Sequence, residues 1–232
     1  MERSKGPGTH TDPGWSLRAA GFVLILGVLF GLLSFGVTLA GWVGAIDTHV
    51  ERWIVEHRTG WATAFLRGFT WLGSGAVLWP LVGVAAVYLV LREHKWRAAI
   101  GVAVGLGGSV LLTNVVKTLT DRSRPPASHW LVNATGSAYP SGHAMDCLAV
   151  FGALALLLAA RRFPGRHVAI PASAVIVLVV GWSRLYLGVH WLTDVVGGYL
   201  LAGAWVAAVA ALLIKPGAEP ARSEPYRPGP GP

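Results

Sequence analysis

Cysteine and charged side chains are both scarce in this chain of 232 residues, and each shortage excludes a class of protein. The single cysteine, Cys147, excludes an intramolecular disulfide framework. Charged residues make up 13% of the chain and apolar residues 53%, unlike average soluble domains and unlike disordered chains. Together with a mean hydropathy of +0.55, this composition indicates an integral membrane protein.

Acidic residues are the scarcer of the two charged classes, with 11 Asp and Glu against 19 Lys and Arg. The net charge of +8 raises the question of nucleic-acid binding, but the basic residues are scattered among short loops. This distribution fits membrane orientation better, so we expect the lipid bilayer and no nucleic acid as a partner. No pair of carboxylates has an evident metal-ligand spacing.

Long stretches without Asp, Glu, Lys or Arg are present, and each could cross about 30 Å of hydrocarbon. Four of them contain between 19 and 28 residues: 19–46, 68–91, 98–116 and 195–214. Two further candidates, 143–160 and 168–183, carry or border charged residues and should end in or near polar protein. The sequence therefore predicts an all-α polytopic membrane protein with a bundle of six transmembrane helices.

The segments outside the apolar stretches complete the predicted organisation. Residues 1–16 and 215–232 are rich in Gly, Pro and Ser and are predicted to be disordered cytoplasmic tails around a six-helix domain at 17–214. The first apolar stretch is too long for a signal-peptide core of about 7 to 15 residues, which indicates an uncleaved anchor. Residues 47–61 mix apolar and charged side chains and suggest a short amphipathic interfacial helix, with a polar connecting loop as the alternative.

The distribution of basic residues predicts which side of the membrane each loop occupies. With six spans, twelve of the 19 Lys and Arg residues fall on one side, together with both termini, and seven on the other. The positive-inside rule makes the twelve-charge side cytoplasmic. We therefore expect a multi-pass protein of the plasma membrane whose segment around His190 lies on the extracytoplasmic side.

A polar cluster interrupts two apolar stretches at residues 183–194. His190 and Asp194 are four positions apart, so on a helix they would share a face and the carboxylate could accept the second imidazole N–H. Arg184 lies six residues upstream of the histidine. An anchored imidazole beside a fixed cation is what nucleophilic attack on phosphorus requires.

A second cluster closes the third predicted span. Lys117 and Arg124 are seven residues apart, which is two helical turns, so both cations can point one way if the helix continues that far. Pro125 favours an extended conformation at Arg124 and should end the helix there. Between this cluster and the next lie Asp121, Arg122, His129 and Asn133, interpreted as a solvated loop, with gating or selection of a substrate headgroup as the alternative.

A third cluster, at residues 139–143, leads directly into the fourth predicted span. Ser141 and Gly142 precede a helix N-terminus, whose free backbone N–H groups and dipole attract anions, and His143 falls in the first turn. Asp146 lies one turn deeper, and two interpretations of it stay open. It could favour the imidazolium of His143 and tune it as an acid, or be an interior carboxylate bonded to a neighbouring helix.

Three patterns resemble the signature motifs of the type 2 phosphatidic acid phosphatase (PAP2) superfamily, and all three are complete and in the family's order. They are Lys117-x6-Arg124-Pro125, Pro140-Ser141-Gly142-His143 and Ser183-Arg184-x5-His190-x3-Asp194. With the six apolar stretches, the resemblance covers residues 20–214 and is closest to the membrane-bound lipid phosphatase branch.

The resemblance implies a role for each motif residue. His190 would be the nucleophile that forms a phosphohistidine, Asp194 would orient it, and His143 would protonate the leaving oxygen and then activate water. It implies no metal and no cofactor. The phosphate-binding residues would be Lys117, Arg124, Ser141, Gly142 and Arg184.

The function implied is that of an integral-membrane phosphatase acting on a lipid phosphomonoester or diphosphate. Phosphatidic acid, phosphatidylglycerol phosphate and undecaprenyl diphosphate remain open as substrates, and nothing in the sequence indicates an oligomeric state. The alternatives are a lipid phosphotransferase and a non-catalytic lipid-binding or transport protein. A vanadium haloperoxidase uses a similar residue set but is typically soluble, which six apolar spans argue against.

Overall fold

The computed structural model describes residues 13–40, 42–160 and 164–213, whose regular secondary structure is entirely helical, with no strand among them. The all-α prediction is confirmed. The α-helices, in chain order, are α1 (Pro13–Phe35), α2 (Trp42–Glu56), α3 (Gly60–Phe69), α4 (Gly75–Leu91), α5 (Trp96–Thr120), α6 (Gly142–Ala160), α7 (Arg166–Tyr186) and α8 (Leu192–Leu213).

Among the described residues, five helical stretches are long and apolar enough to cross a membrane. The first is Leu17–Leu39, which contains most of α1 and the first residues after its end. The other four are the whole of α5, α6, α7 and α8. Helices α3 and α4 pass the same test together as a bent pair, which gives a sixth candidate. The prediction of a six-helix membrane bundle agrees with these five to six candidate spans.

The first predicted span, 19–46, was too long at its C-terminal end. α1 ends at Phe35 and is followed by a π-helical segment, Gly36–Ala40, so that residues 42–46 belong to the separate helix α2. Val43 and Ile54 of α2 are 1% and 2% exposed. Because α2 buries these side chains in the protein, it is not a continuation of the lipid-facing first span.

The second predicted span, 68–91, is broken rather than continuous. A 3-10 segment, Thr70–Gly73, separates α3 from α4, and the two helices are bent by 45°. A Cβ atom at Gly73 would lie 2.5 Å from Val180 Cγ1 of α7 and 3.3 Å from the His143 carbonyl oxygen of α6. The break therefore packs directly on two helices of the bundle, and glycine permits that approach.

The remaining predicted spans correspond to α5, α6, α7 and α8, with shifted ends. α7 is longer than the predicted 168–183 and includes Arg184 in its last turn. The core joins α4, α5 and α6 through buried side chains such as Leu78, Val102, Leu106 and Val150. Of the predicted tails, residues 1–12 and 215–232 lie outside the described residues, while 13–16 form the start of α1.

Candidate active site

The three polar clusters of the sequence meet at one end of the bundle. The alternating directions of α5 to α8 bring the C-terminal ends of α5 and α7 and the N-terminal ends of α6 and α8 to the same side, and α6 packs against the other three. Backbone hydrogen bonds tie the connections together: the Ser141 N–H donates to the Asp194 carbonyl and the Leu131 N–H to the Leu187 carbonyl, each at 2.9 Å.

His190 lies in the turn before α8 rather than on a helix, which corrects the prediction of a helix face shared with Asp194. α8 begins at Leu192, and Gly188 in the same turn has a φ of +75°, a conformation that favours glycine. The turn still brings His190 Nδ1 to 3.3 Å from Asp194 Oδ2. The Trp191 N–H donates to the same carboxylate oxygen at 2.8 Å.

The contacts of the His190 ring define its tautomer. Arg124 Nη1 lies 3.2 Å from Nε2, and because a guanidinium can only donate, Nε2 carries the lone pair and Nδ1 carries the hydrogen directed at Asp194. His190 is 4% exposed. Burial lowers its pKa well below the usual range, and the charges of Arg184, Arg124 and Lys117 lower it further. The ring is therefore neutral at neutral pH, and Nε2 is its unprotonated nitrogen.

Arg124 reaches this site from a loop, not from a helix continuing to Pro125. α5 ends at Thr120, because Asp121 adopts the left-handed conformation with a φ of 39°. The Arg124 guanidinium is then held by backbone carbonyls on both sides of the site, namely Gly136 at 2.9 Å, Thr135 at 2.8 Å and Val189 at 2.6 Å. Lys117, on the last turn of α5, donates to the Ser137 carbonyl.

Two buried donors of the motif residues have no hydrogen-bond partner among the described residues. They are Ser141 Oγ and Arg184 Nε, on residues that are 0% and 6% exposed. Arg184 Nη1 does have a partner, the hydroxyl of Thr70 in the 3-10 break, at 2.9 Å. A buried donor left unpaired costs about 1 to 3 kcal/mol, so unpaired donors beside fixed cations are what an anion-binding site contains.

His143 occupies the first turn of α6, and its ring is within electrostatic range of His190 and of the cations Arg184, Arg124 and Lys117. Asp146, one turn deeper, accepts a hydrogen bond from the Ser109 hydroxyl of α5 at 2.7 Å. This contact matches the interpretation of Asp146 as an interior carboxylate bonded to a neighbouring helix. Across the described part of the chain, no three His, Cys, Asp or Glu side chains are grouped as metal ligands would be.

The structure connects two residues, Arg122 and Asp47, to Asp194, a contact that the sequence did not predict. Arg122, expected in a solvated loop, has Nη1 at 2.5 Å from Asp194 Oδ1 and Nη2 at 2.5 Å from Asp47 Oδ2. Asp47, expected on an interfacial helix, is 1% exposed. His129 of the same loop pairs with Glu51 of α2 at 2.6 Å. No local pattern signals these contacts, because the partners are separated by more than 70 residues.

The remaining loop residues agree with the solvated interpretation. Asp121 and Asn133 are both exposed. Arg122, Arg124 and His129 are therefore anchored to the bundle, whereas Asp121 and Asn133 are exposed. Anchoring by buried charges holds the loop over the ends of α5 to α8, where the imidazoles and cations lie.

Comparison with known proteins gives consistent matches over this region. The family model of the PAP2 superfamily matches residues 98–216, which contain all three motifs. Phosphatidylglycerophosphatase B of Bacillus subtilis is 31% identical over 176 residues, covering 75% of this chain and 86% of that protein. Undecaprenyl-diphosphatase of Sulfolobus acidocaldarius is 29% identical over 188 residues, covering 78% of this chain and 86% of that protein.

A solved structure is also similar. The crystal structure of a transmembrane PAP2-type phosphatidylglycerolphosphate phosphatase from Bacillus subtilis superimposes with a TM-score of 0.75 at 28% identity. The match covers 82% of this chain and 94% of that chain.

Proposed function

The chain belongs to the PAP2 superfamily, and the relatives reported above are named as phosphatases, so we propose that it is an integral-membrane enzyme that hydrolyses the phosphomonoester or diphosphate of a lipid through a phosphohistidine. One observation carries the proposal. His190 Nε2 carries the unprotonated lone pair and lies 3.2 Å from Arg124 Nη1, and the charges of Arg184 and Lys117 also act on the ring. Two buried donors, Ser141 Oγ and Arg184 Nε, have no hydrogen-bond partner in the part of the protein that the structure describes. This is the arrangement that nucleophilic attack on a phosphoryl group requires.

In the first step, the lone pair of His190 Nε2 attacks phosphorus. The N–P bond forms while the bond from phosphorus to the lipid oxygen breaks, and His143 gives its proton to that oxygen as it leaves. The imidazole ring becomes positively charged in this step. Asp194, which accepts the Nδ1–H, stabilises that charge and keeps the ring in the reactive orientation.

In the second step, His143, now neutral, takes a proton from a water molecule that attacks the phosphohistidine. The O–P bond forms, the N–P bond breaks, and its electron pair returns to Nε2. Inorganic phosphate leaves with both histidines restored to their starting states. One histidine thus serves as acid and then as base, as two-step hydrolysis through a covalent intermediate demands.

The cations bind the phosphoryl oxygens and stabilise the negative charge of the transition state. Arg124 Nη1 lies 3.2 Å from the attacking nitrogen, so an oxygen bound to it would lie beside the phosphorus under attack. Ser141 Oγ and Arg184 Nε gain partners when phosphate binds. The residues proposed to contact the phosphoryl group are Lys117, Arg124, Ser141, Arg184 and the backbone N–H of Gly142.

The substrate proposed is a lipid whose phosphate group enters at the membrane surface while its tails stay in the bilayer. By the positive-inside distribution, the site opens on the extracytoplasmic side and both termini are cytoplasmic. The named relatives act on phosphatidylglycerol phosphate and undecaprenyl diphosphate, so these two head groups and phosphatidic acid are the first to test.

The test is phosphate release by the purified protein from these three lipids, with His190→Ala as the control. We expect release from at least one lipid by the wild type and none above background by the variant. Equal release by both proteins, or no release from any lipid phosphate, would overturn the proposal. Phosphate recovered on a second lipid instead of in solution would identify a phosphotransferase.

A further inference from the structure

The carboxylate of Asp194 makes contacts through both of its oxygens, and the proposed reaction uses only one of them. Oδ2 faces His190 Nδ1 at 3.3 Å and accepts the Trp191 N–H at 2.8 Å. Oδ1 accepts a hydrogen bond from Arg122 Nη1 at 2.5 Å. Since Asp194 is 0% exposed, water does not solvate its charge, and Arg122 supplies the compensating cation.

Arg122 is in turn held by a second buried carboxylate, that of Asp47 on α2. Nη2 of the guanidinium lies 2.5 Å from Asp47 Oδ2, and the two side chains are 14% and 1% exposed. Because the guanidinium is planar and its two terminal nitrogens contact two different carboxylates, it cannot rotate without losing one of the ion pairs. Asp47 of α2 therefore fixes the orientation of the Arg122 guanidinium towards Asp194.

Asp47 is also bonded to the first turn of α8, next to Asp194. The Thr193 N–H donates to Oδ1 at 3.0 Å and the Thr193 hydroxyl to Oδ2 at 2.6 Å. The same hydroxyl accepts a hydrogen bond from Arg122 Nη1 at 2.8 Å. Asp47, Arg122, Thr193 and Asp194 thus form one closed buried network, and α2 is part of the support of the nucleophile.

We propose that Asp47 and Arg122 are a positioning pair, which keeps the Asp194 carboxylate ionised and directs its Oδ2 to the Nδ1–H of His190. The inference rests on the proposed function, in which His190 attacks through Nε2. A fully buried carboxylate without a cation tends to take up a proton, and a protonated Asp194 would no longer select the reactive tautomer. Both terminal nitrogens of Arg122 are engaged by carboxylates, so the pair acts through Asp194 and not on the phosphoryl group.

The first test is the kinetics of Arg122→Gln in purified, detergent-solubilised protein. We expect kcat to fall about 100-fold, the order of loss that follows from slight misplacement of a reacting group. The KM and the inhibition constant of inorganic phosphate should stay close to the wild-type values, because Arg122 does not bind the phosphoryl group. Arg122→Lys keeps the charge but cannot bridge two carboxylates, so it should recover part of kcat.

The second test is whether the two residues act as a unit. Asp47→Asn should lower kcat about 10-fold at unchanged KM, because Arg122 loses the ion pair that fixes its orientation. If the pair acts only through Asp194, the double variant Asp47→Asn/Arg122→Gln should be no slower than Arg122→Gln alone. If the two residues acted independently, the fold-losses in kcat of the two single variants would multiply in the double variant, and the pair would not be a unit.

The chain offers a matched control for each substitution. Glu51→Gln removes a buried carboxylate one turn further along α2, but this carboxylate pairs with His129 and not with Arg122. Arg67→Gln removes a guanidinium that anchors the same loop through the Leu131 carbonyl, away from Asp194. Both controls should keep kcat within about twofold of the wild type, the small effect expected of substitutions remote from the network.

Two outcomes would overturn the inference while leaving the proposed function intact. One is a wild type that releases phosphate and an Arg122→Gln variant with the same kcat. The other is a variant whose KM and phosphate inhibition constant rise together, since this would place Arg122 among the phosphate-binding groups. If thermal unfolding shows that Arg122→Gln does not fold, Arg122→Lys and Asp47→Asn take its place in the test. A kcat equal to that of the wild type, or a joint rise of KM and the phosphate inhibition constant, would then overturn the inference. A wild type that releases no phosphate overturns both proposals.

Discussion

Replacing Asp194 by Asn tests whether this fully buried carboxylate orients the His190 ring. The substitution keeps the shape of the side chain and removes its charge, and its amide can present N–H instead of an acceptor to His190 Nδ1. The reactive tautomer, with the hydrogen on Nδ1, would then no longer be selected. Conversion of such a carboxylate to an amide lowers kcat by about 10⁴-fold where an imidazole depends on it.

The same substitution has a cost in stability that can be measured separately. Asp194 is 0% exposed and pairs with Arg122 at 2.5 Å, so the variant leaves a largely buried guanidinium with one fewer carboxylate. Removing one partner of a buried ion pair costs about 3 to 5 kcal/mol, although here Asp47 still pairs with Arg122 and should reduce that loss.

The assay is single-turnover formation of the phosphoenzyme, with thermal unfolding measured in the same detergent. Asp146→Asn is the matched control, because it neutralises another carboxylate, a partly buried one, that bonds to Ser109 and not to His190. We expect Asp146→Asn to form phosphoenzyme at a rate within tenfold of the wild type. An Asp194→Asn variant that does so as well would refute the assignment of Asp194 as the group that orients His190.

Three further predictions follow from contacts around the same site. Arg124→Gln should lower kcat/KM by about 10²- to 10³-fold in phosphate-release assays, because it removes a cation beside Nε2, and an unchanged value would exclude Arg124 from phosphate binding. Gly73→Ala places a Cβ 2.5 Å from Val180 Cγ1 and should destabilise the protein by about 1 to 3 kcal/mol in thermal unfolding, whereas Gly83→Ala, with open space around it, should not. The pKa of His190 is lowered in the folded state, so its contribution to stability is present above pH 6.5 and lost as pH falls below it. Between pH 6 and pH 5 the wild type should therefore lose about 1 kcal/mol more than His190→Gln, and parallel stability curves would contradict a buried neutral imidazole.

The membrane-spanning helices and the motif residues could be predicted from sequence because their signals are local. An apolar stretch such as 98–116 is long enough to cross the bilayer whatever surrounds it, and α5 contains all of it. His143 falls in the first turn of α6, as the Ser-Gly sequence before it indicates. Composition predicts the membrane-spanning helices, and short-range spacing predicts the position of His143.

The breaks and ends of helices were less predictable, because tertiary contacts decide them. The uncharged stretch 68–91 contains nothing that requires a 3-10 break at Thr70–Gly73, and its packing against α6 and α7 becomes visible only in the folded chain. Similarly, the spacing of Lys117 and Arg124 is compatible with a continuous helix. The left-handed conformation of Asp121 instead turns the chain into a loop that wraps the site.

The partners of buried charges were the least predictable part of the site. Arg122 and Asp47 are 75 positions apart, and each sits in a segment whose composition is that of an exposed loop or interfacial helix. An unpaired carboxylate within an apolar fold is costly, which is a reason to look for a partner of Asp194. Sequence spacing alone, however, does not select Arg122 among the basic residues of the outer loops.

The most direct test of the proposed phosphohistidine is to trap it. The purified protein would be mixed with a lipid phosphate carrying a radioactive phosphoryl group, quenched in alkali within milliseconds, digested and mapped by mass spectrometry. We expect an acid-labile, alkali-stable label on His190, and none on the His190→Ala variant. Label on another residue, or steady phosphate release with no labelled protein in a quench fast enough to resolve one turnover, would contradict it.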